Sequence, residues 1–572
     1  MKNLKYKLIG TNDYIVDPIT TVLNNRGIKD IDKFLNVNKN DTHNYKLLKN
    51  IDIATKLIIS HLKNNNRILL NVDSDTDGYT SSALMYNYLK KINKNADIKF
   101  HIHNEKIHGI FNKDVNDDIN LVIVPDAGSN DYEELEKLNK RGIDVIILDH
   151  HNSNKYSEHA VVVNNQMCNY PNKNLSGVGI VYKLCQSLDQ VLNVEFADGF
   201  LDLVAIGMIG DMMSTKELET RYYILEGLKN INNPFIKALF DKQSYSTKGI
   251  INIVNTVFYI VPLINAMIRF GSMEEKCNTF KAMLCDYQYI LLDYKKRSGE
   301  IVKQSLPVTM ARICSNVKNR QDRAKKKSAK LLEKQIKKYQ LDKNQVLIVD
   351  GTDKLDRSLT GLVAMQIAQK YKKPTLVLQK DKDNFIGSGR NFNDSPLLDF
   401  RGYLDQLGLF NFVEGHDSAF GYEIKAENVD QVICRANKDL AKIGSKKDYI
   451  VDFKIPVNKL NNNFFKTILN YKYIWGRDVE EPIVLITDII IDTKSYQLWI
   501  NKNKNIIKFN RQGLEFIKFK ANEDEYLKLK EYPTISIDVI GRVGAYEWRG
   551  KQTYQIIIQD YQFSPCEDFS MF

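Results

Sequence analysis

The stretch "NVDSDTDG", residues 71–78, places three carboxylates at alternate positions before a glycine: Asp73, Asp75 and Asp77. Acids this close repel one another unless cations lie among them. Calcium storage is one interpretation, because an EF-hand loop has acids at positions 1, 3 and 5 and glycine at position 6. Position 12 must then be glutamate, but it is Leu84 here, which cannot bind a cation. The cluster is better explained as a metal site that performs chemistry.

Two further segments carry residues that bind metals. "VPDAGSND" contains Asp126, and "LDHHNSN" contains Asp149, His150 and His151. One such acid alone usually caps a helix, but a purely structural fold has no reason to collect so many. Carboxylates with imidazoles favour Mn²⁺ or Mg²⁺ over zinc. With Asp211 in "AIGMIGDMMS", the donors suffice for two ions, which activate water for in-line attack at phosphorus. We therefore predict phosphoester hydrolysis.

These residues meet only if the fold brings them to one edge. Short apolar runs precede them: "RILLNV" (67–72), "INLVIVP" (119–125) and "IDVIILD" (143–149). Such runs are typical of buried parallel strands, and "SNDYEELEKLNKRG" between the last two predicts a helix. The carboxyl ends of parallel strands form the crevice where such folds bind ligands. The sequence therefore predicts an α/β domain with a parallel sheet and a metal site at its edge.

Changes in pattern predict five regions along the chain. Residues 1–50 are expected to form leader helices, 51–273 the catalytic domain, and 274–342 a basic helical connector broken near a proline. Residues 343–445 contain "NQVLIVD" and "PTLVLQ" around a helical pattern, which predicts a second α/β domain. Alternating strands such as "TISIDVIGRV" predict a small β-barrel over 446–572.

Composition narrows the class of protein. The chain has 572 residues, 43% of them hydrophobic, and a net charge of +11. This charge favours polyanionic partners, although AT-rich coding gives the same Lys- and Asn-rich composition. The seven cysteines contain no CxxC pair, which argues against a disulfide framework or a zinc knuckle. No uninterrupted apolar run of membrane-spanning length and no signal-peptide h-region is found, so we expect a soluble, cytoplasmic protein without membrane contact.

The motifs and their order resemble the DHH phosphoesterase family, named after the triplet that is Asp149-His150-His151 here. RecJ-like single-strand-specific 5′ exonucleases fit best within it. Their later motifs are similar to five segments: "LSGVGIVYKL" (175–184), "VPLINAMIRFGS" (261–272), "GSGRN" (387–391), "EGHDSAFG" (414–421) and "YEWRGKQTYQIIIQD" (546–560). The resemblance covers nearly the whole chain. It implies a DHH domain and a DHH-associated domain joined by the connector, then an OB-like barrel, and removal of 5′ mononucleotides from single-stranded DNA in repair, recombination or replication.

The resemblance also assigns roles. Residues that would bind the two ions are Asp73, Asp75, Asp77, Asp126, His150 and Asp211, with Asp73 binding or only orienting. Asp149 would likewise bind or orient, and His151 would stabilise charge on the scissile phosphate. Asn265 and Arg269 would hold the nucleotide beside the cut.

Substrate contacts are implied in the associated domain. Ser388, Gly389 and Arg390 would form the pocket for the 5′-terminal phosphate, using backbone N–H groups and a guanidinium that suits an anion. His416 would contact the phosphate backbone near the cut.

Some features depart from the family. Its Pro-Asn-Arg…Gly-Tyr-Gly stretch is "HIHNEKIHGI" (101–110) here, where Lys106 replaces the arginine without its fork. Its Trp-His-Pro-Gly is replaced by "KLDRSLTGLVA" (354–364), and a usual arginine is Leu263. The catalytic centre is complete while end recognition differs, which suits a divergent member from a mobile element or virus.

Other residues offer contacts to DNA. Lysines 325–327 on the connector would attract the backbone, with an affinity that falls as salt rises. Aromatic residues of the barrel are stacking candidates, although ordinary core is the expectation for at least half of them: Trp475, Trp499, Tyr546 and Trp548. Single-stranded DNA is the predicted partner of a monomer, together with a single-strand-binding protein or a helicase.

Two alternatives stay open. A nanoRNase or cyclic-dinucleotide phosphodiesterase of the same family keeps the chemistry, but such enzymes usually lack the extra barrel. A non-catalytic replication scaffold of this fold would have lost metal ligands, whereas all are present here. The polarity of cleavage rests on the resemblance alone.

Overall fold

A computed structural model of the chain describes residues 4–104, 108–295, 298–393, 395–441, 448–495, 497–511, 513–548 and 550–566. Lys106 and the side chain of Trp548, both candidates for substrate contact, lie outside the described residues. The sheets of the three larger regions are separate, and each has its own strand order.

The leader was expected to be helical, and the structure gives it a strand and two short helices: β1 (Tyr6–Leu8), α1 (Pro18–Asn25) and α2 (Ile31–Leu35). These elements pack on the C-terminal domain. Leu23 and Phe34 are buried in one hydrophobic cluster with Trp475, and β1 pairs in parallel with Tyr449–Val451. The two ends of the chain therefore share a core, which the sequence did not indicate.

The catalytic domain is built on five parallel strands: β2 (Ile68–Val72), β3 (Ile98–Ile102), β4 (Leu121–Pro125), β5 (Asp144–Asp149) and β6 (Val161–Asn164). Their order in the sheet is β3-β2-β4-β5-β6. The chain therefore reverses its direction of travel across the sheet between β2 and β4, the place where such sheets open a crevice. The sequence predicts β2, β4 and β5, but β3 and β6 were missed because their apolar runs are short or interrupted.

The helices of the domain are α3 (Ile51–Lys63), α4 (Thr76–Ile92), α5 (Tyr132–Lys140), α6 (Gly177–Leu192), α7 (Leu201–Gly210), α8 (Leu218–Lys229), α9 (Pro234–Lys242), α10 (Ser244–Thr247), α11 (Ile253–Asn255) and α12 (Val261–Phe270). Helices α3, α4, α5 and α6 contact this sheet. One core joins α4, α6 and α7 to the sheet, and a second places α5 on the opposite face. By length and composition alone Ile253–Phe270 is apolar enough to cross a membrane, but half of it is buried inside the protein.

The connector contains a hairpin between helices: α13 (Met273–Met283), β7 (Leu291–Lys295), β8 (Ile301–Ser305) and α14 (Leu306–Lys338). The sequence missed the hairpin. Pro307 lies in the first turn of α14, where no N–H donor is needed, so it begins this helix. Near its start α14 buries Met310 in the catalytic core, and near its end it buries Leu332 and Ile336 against the associated domain.

The associated domain has a mixed sheet with helices: β9 (Leu347–Asp350), α15 (Thr360–Tyr371), β10 (Thr375–Asp381), β11 (Asn384–Arg390), α16 (Phe400–Gln406), β12 (Phe410–His416), β13 (Ala419–Lys425) and α17 (Val429–Asp439). The strand order is β12-β13-β11-β10-β9. Strand β11 is central and antiparallel to both of its neighbours.

The C-terminal domain contains β14 (Tyr449–Val451), β15 (Phe453–Pro456), α18 (Asn462–Asn470), β16 (Ile483–Asp492), β17 (Leu498–Ile500), β18 (Ile506–Arg511), β19 (Leu514–Phe519), α19 (Glu523–Lys530), β20 (Thr534–Trp548) and β21 (Lys551–Pro565). Seven of these strands form a mixed sheet in the order β15-β16-β20-β21-β19-β18-β17. Among the stacking candidates, Trp475 is core, Trp499 is 50% exposed, and Tyr546 donates to Glu515.

Candidate metal centre

Three strand ends deliver the acids of the site. Asp73 follows β2, Asp126 follows β4, and Asp149 is the last residue of β5. All three side chains are buried. Because the strands are parallel and β2 and β4 are neighbours, the carboxylates meet at one edge, at the point where the strand order reverses. Asp126 has a φ of 67°, in the left-handed region that Asp tolerates better than most residues.

The first turn of α4 presents two more acids. Asp75 is the N-cap residue, and its Oδ1 accepts from Gly78 N at 3.0 Å. Asp77 lies in the first turn, and its Oδ1 accepts from Ser176 Oγ at 3.0 Å and Val178 N at 3.3 Å. The positive end of the helix dipole favours carboxylates at these positions. One oxygen of Asp77 is thus fixed by α6, while the other remains available.

His150 lies between acids from distant parts of the chain. Its Nε2 is 3.2 Å from Asp126 Oδ1 and 3.4 Å from Asp211 Oδ2. Asp211 caps the C-terminal end of α7, so the apolar segment before it is a helix. Three overlapping groups have ligand atoms within 4.8 Å of one another: Asp73, Asp75 and Asp126; Asp77, His150 and Asp211; Asp126, His150 and His151.

Unpaired atoms show that these residues fit divalent cations. Asp77 Oδ2, Asp126 Oδ1 and His150 Nε2 are buried, and none has a partner in good hydrogen-bond geometry among the described residues, although the last two atoms lie 3.2 Å apart. Buried polar atoms are nearly always paired, so three orphans in one place need an explanation. Carboxylate and imidazole lone pairs in this mixture suit Mn²⁺ or Mg²⁺.

The pKa shifts of these residues also indicate a site for positive ions. Burial, and then the neighbouring carboxylates, raise the pKa of Asp126 well above its usual value and that of Asp211 to about 8. Burial likewise raises the pKa of Asp77 to about 6. Burial lowers the pKa of His150 to about 4, which keeps its imidazole in the neutral form that binds metals. The acids repel one another unless positive charge lies among them.

Asp149 orients the turn that carries the histidines. Its Oδ1 accepts from His150 N at 2.7 Å, His151 N at 3.1 Å and His151 Nδ1 at 2.7 Å, and its Oδ2 accepts from Ser129 N at 3.1 Å. Burial opposes the ionised form, but these contacts outweigh it and hold the pKa of Asp149 low. Of the two roles that the sequence left open, this geometry favours orientation.

His151 is the exposed member of the pair. The hydrogen bond to Asp149 raises the pKa of His151 to about 9, so its ring is positively charged at neutral pH. Its side chain is 54% exposed. A charged ring at the open side of the centre suits a phosphate.

Helix α12 joins the metal centre to a large cleft. Asn265 Oδ1 accepts from Thr76 Oγ1 at 2.9 Å, beside the acids of α4. Arg269, one turn later, lines a cleft of 1020 Å³ between the catalytic and associated domains. Four cations and one acid line this cleft: Arg269, Lys276, Arg357, Arg390 and Asp356. Its charge favours an anion.

Arg390 is the last residue of β11 and lines this cleft. Ser388, two residues earlier on the strand, also lines it. Arg390 donates to the carbonyl oxygens of Gly389 at 2.7 Å and Phe420 at 3.3 Å. Burial, and then the charge of Arg269, lower the pKa of Arg390 to about 10. No carboxylate pairs with either arginine among the residues that the structure describes.

Gly389 and His416 were both predicted to contact the substrate. Gly389 belongs to the central strand, so its backbone is committed to the sheet. A Cβ there would lie 2.2 Å from the ring of Phe420, which requires a glycine. Thr360 and Gly361, in the first turn of α15, also line the cleft, but the Thr360 N–H already donates to the Arg357 carbonyl oxygen. His416 is exposed at the tip of the β12–β13 hairpin.

Three glycines pack against the acids of the centre, a role that was not predicted from the sequence. A Cβ at Gly78 would lie 2.5 Å from Asp73 Cβ, one at Gly177 2.4 Å from Asp126 Oδ1, and one at Gly207 2.5 Å from Asp77 Oδ1. Each glycine therefore lets a helix approach one acid. The available signal was glycine inside otherwise strongly helical segments.

Comparison with known proteins identifies the family. The DHH family N-terminal domain matches residues 67–208, and the RecJ OB domain matches residues 451–560. The Bacillus subtilis protein YorK, described as an SPbeta prophage-derived single-strand DNA-specific exonuclease, is 44% identical over 98% of both chains. The chain is a RecJ-like member of the DHH family.

Other relatives of this DHH-family member are more distant. Single-stranded-DNA-specific exonuclease RecJ of Bacillus subtilis is 24% identical over 99% of this chain and 70% of that protein. The crystal structure of RecJ from Thermus thermophilus in complex with Mn²⁺ has a TM-score of 0.72 and 18% identity, covering 96% of this chain and 76% of that one. The same protein was also solved with Mg²⁺, with a TM-score of 0.67. These structures confirm the predicted RecJ-like fold.

Proposed function

We propose that this RecJ-like protein is a metal-dependent exonuclease that hydrolyses single-stranded DNA from its 5′ end to mononucleotides. The observation that carries the proposal is the meeting of His150 with Asp126 and Asp211, at 3.2 and 3.4 Å, with unpaired buried lone pairs. The description of YorK as a single-strand DNA-specific exonuclease supports the substrate. Single-stranded DNA is accordingly the proposed partner.

Each side chain has a proposed task in the reaction. Two divalent ions, Mn²⁺ or Mg²⁺, would be held by Asp73, Asp75, Asp77, Asp126, His150 and Asp211, and would supply charge neutralisation and a more acidic attacking water. The charged ring of His151 stabilises negative charge that develops on the phosphate. Asp149 keeps that ring oriented, and Asn265 positions the nucleotide beside the cut.

The proposed polarity rests on the family resemblance, and the cationic cleft supports binding of a terminal phosphate. Arg269, Arg390 and the first turn of α15 lie around one cavity that joins the catalytic domain to the associated domain. Guanidinium groups bind phosphate. A terminal 5′ phosphate seated there places the first phosphodiester towards the acids, so each cut releases one nucleotide. Ser388 and His416 are proposed as further contacts to this end of the strand.

Labelled substrates test the proposal. Single-stranded DNA with a 5′ phosphate and a 3′ label, incubated with Mn²⁺ or Mg²⁺, should shorten by one nucleotide at a time. The same strand labelled at its 5′ end should release labelled mononucleotide at the start. Asp126→Ala and His150→Ala should abolish hydrolysis while single-stranded DNA binding is retained. Early loss of the 3′ label would reverse the polarity.

The same assay separates the alternatives. Activity confined to short RNA or cyclic dinucleotides would favour a nanoRNase or a cyclic-dinucleotide phosphodiesterase. A folded protein that binds DNA but hydrolyses nothing with either ion would favour a replication scaffold. The predicted monomeric state, cytoplasmic location and protein partners, a single-strand-binding protein or a helicase, stay predictions.

A further inference from the structure

A second group of metal-binding side chains lies beside the catalytic centre. His101 is on β3, His103 follows that strand, and Asp114 ends the short helical turn Asn112–Asp114. Their ligand atoms lie within 4.8 Å of one another. Phe100 and Ile102 belong to the core under α4, so the two histidines, offset by one residue, face the other side of the sheet. None of these three residues belongs to the groups around Asp126 and His150.

Ordinary polar contacts do not account for this group. His101 Nε2 is 3.7 Å from Asp114 Oδ2, which is too long for a hydrogen bond. Within the part of the chain that the structure describes, neither side chain has a hydrogen-bond partner. Burial, and then the neighbouring His103, lower the pKa of His101, so a strong ion pair with Asp114 is not expected either. An uncharged imidazole is also the form that binds a metal.

The hydrogen bond of His103 leaves one of its ring nitrogens available to bind a metal. His103 is buried, and its Nε2 lies 3.0 Å from the carbonyl oxygen of Gly109. A carbonyl only accepts, so Nε2 is the donor here, and Nδ1 is the nitrogen that offers a lone pair when the ring is neutral. Histidines that bind metals commonly donate their other N–H to a backbone carbonyl, which fixes the ring. The ring of Phe111 packs edge-on against His103, with centroids 6.0 Å apart, and shields this side.

We infer that His101, His103 and Asp114 form a separate site for a zinc-class divalent transition metal. Two imidazoles and one carboxylate leave a fourth position for water, an arrangement that suits Zn²⁺ or Co²⁺ better than Mg²⁺. Donor atoms around tetrahedral zinc are about 3.3 Å apart, so the His101–Asp114 separation closes by a few tenths of an ångström on binding. The catalytic centre, with its many carboxylates, selects a harder ion.

The site has a direct connection to catalysis. Gly109 accepts from His103 through its carbonyl oxygen and also from Asn71 at 2.7 Å. Its N–H points to Asp73 Oδ1 at 3.4 Å, and His108 Nδ1 lies 2.6 Å from Asp73 Oδ2. An ion held by His103 therefore stabilises the segment that supports Asp73. Its role is structural support of the catalytic centre, without contact with DNA.

Cobalt provides a spectroscopic test. The full-length chain carrying Asp126→Asn and His150→Asn, which weaken the catalytic centre, is titrated with Co²⁺ and followed by its visible absorption. One equivalent should produce the d–d bands of a tetrahedral site, and one equivalent of Zn²⁺ should remove them. Zn²⁺ should also slow amide exchange at residues 108–115. Absence of the bands in this background would overturn the inference.

Substitutions at the proposed ligands test whether these residues bind the Co²⁺ that produces the absorption bands. In the same background Asp114→Asn and His101→Phe should each weaken Co²⁺ binding on the order of 100-fold, while His159→Ala, at a histidine outside the three-residue group, should leave it unchanged. Far-ultraviolet circular dichroism checks folding. Since His103 is buried, His103→Ala could unfold the protein and is only a supplementary variant. The Asp114→Asn and His101→Phe variants decide whether this group binds Co²⁺. Undiminished Co²⁺ affinity in both would show that the metal binds elsewhere.

Discussion

A methyl group at Gly207 would lie 2.5 Å from Oδ1 of Asp77, so helix α7 reaches the metal centre only because this residue has no side chain. Gly207→Ala should push Asp77 and Thr80 aside, since a Cβ would also lie 2.4 Å from Thr80 Oγ1, and should lower the rate of DNA hydrolysis about 100-fold, because displacements near 1 Å cost that much. Alanine favours a helix over glycine by about 1 kcal/mol, so a loss would not come from helix propensity. Steady-state kinetics at several Mn²⁺ concentrations measures the effect.

Gly199→Ala is the matched control for this substitution. A Cβ at Gly199 would approach only Lys91 Nζ, at 3.9 Å. The variant should keep the wild-type rate and Mn²⁺ dependence. Equal losses in the two variants would contradict a specific role for the contact between α7 and Asp77.

Asp126→Asn should stabilise the metal-free protein. The Asp126 carboxylate is buried beside four other acids, which disfavours its ionised form. Asparagine keeps the shape, tolerates the positive φ and removes one charge. Mn²⁺ should reverse the ranking, because an ion at 100 times its Kd stabilises the wild type by about 2.7 kcal/mol while the variant binds it poorly. Thermal unfolding with chelator and then with Mn²⁺ measures both effects. A variant that unfolds earlier than wild type in chelator would contradict the repulsion argument.

Much of this centre could be predicted from the sequence, because strand ends are local features. The continuous apolar runs before Asp73, Asp126 and Asp149 predict buried parallel strands, and parallel strands bring their ends together. The family resemblance supplied Asn265 and Arg269, which no local pattern indicates. The structure brings these acids to one site, although their roles stay proposals.

Long-range packing could not be predicted. The pattern of an amphipathic helix such as α1 predicts an apolar face but not the element it packs on, so burial of Leu23 in one cluster with Trp475 could not be predicted. The contact between Gly207 and Asp77 depends on how two distant helices cross. The β7–β8 hairpin was missed because its strands are half exposed and read as a continuation of the neighbouring helical pattern.

Arg390→Ala should reduce the preference for 5′-phosphorylated DNA. Arg390 is largely buried in the cleft without a carboxylate partner, so a phosphate would supply the missing charge. A hydrogen bond to a charged group contributes about 1.5–3 kcal/mol, which corresponds to a rise in KM on the order of 10- to 100-fold for phosphorylated substrate. KM for the 5′-hydroxyl strand should change little.

Arg435→Ala controls for the lost positive charge. Arg435 lies on α17 of the same domain, is exposed, and donates to the Leu407 carbonyl at 3.2 Å. Both KM values should match the wild type in this variant. If Arg390→Ala raised KM equally for the two 5′ ends, the arginine would contact the strand elsewhere.

Lys183→Met should destabilise the catalytic domain without altering its chemistry. Lys183 Nζ lies 2.6 Å from Glu219 Oε1, and both side chains are fully buried. Tyr170 and Asn172 also donate to Glu219, so this pair ties α6 and α8 to the loop between β6 and α6. Removing one member of a buried ion pair costs about 3–5 kcal/mol, because the remaining charge has no opposite charge beside it.

The double variant Lys183→Met with Glu219→Gln tests this cause. It removes the stranded charge, so it should recover part of the stability lost in Lys183→Met, as measured by urea unfolding. Single-stranded DNA hydrolysis per folded molecule should equal the wild type in both variants, because neither residue lies in the metal groups. A double variant no more stable than Lys183→Met would mean that packing of the lysine stem, and not the charge of Glu219, accounts for the loss.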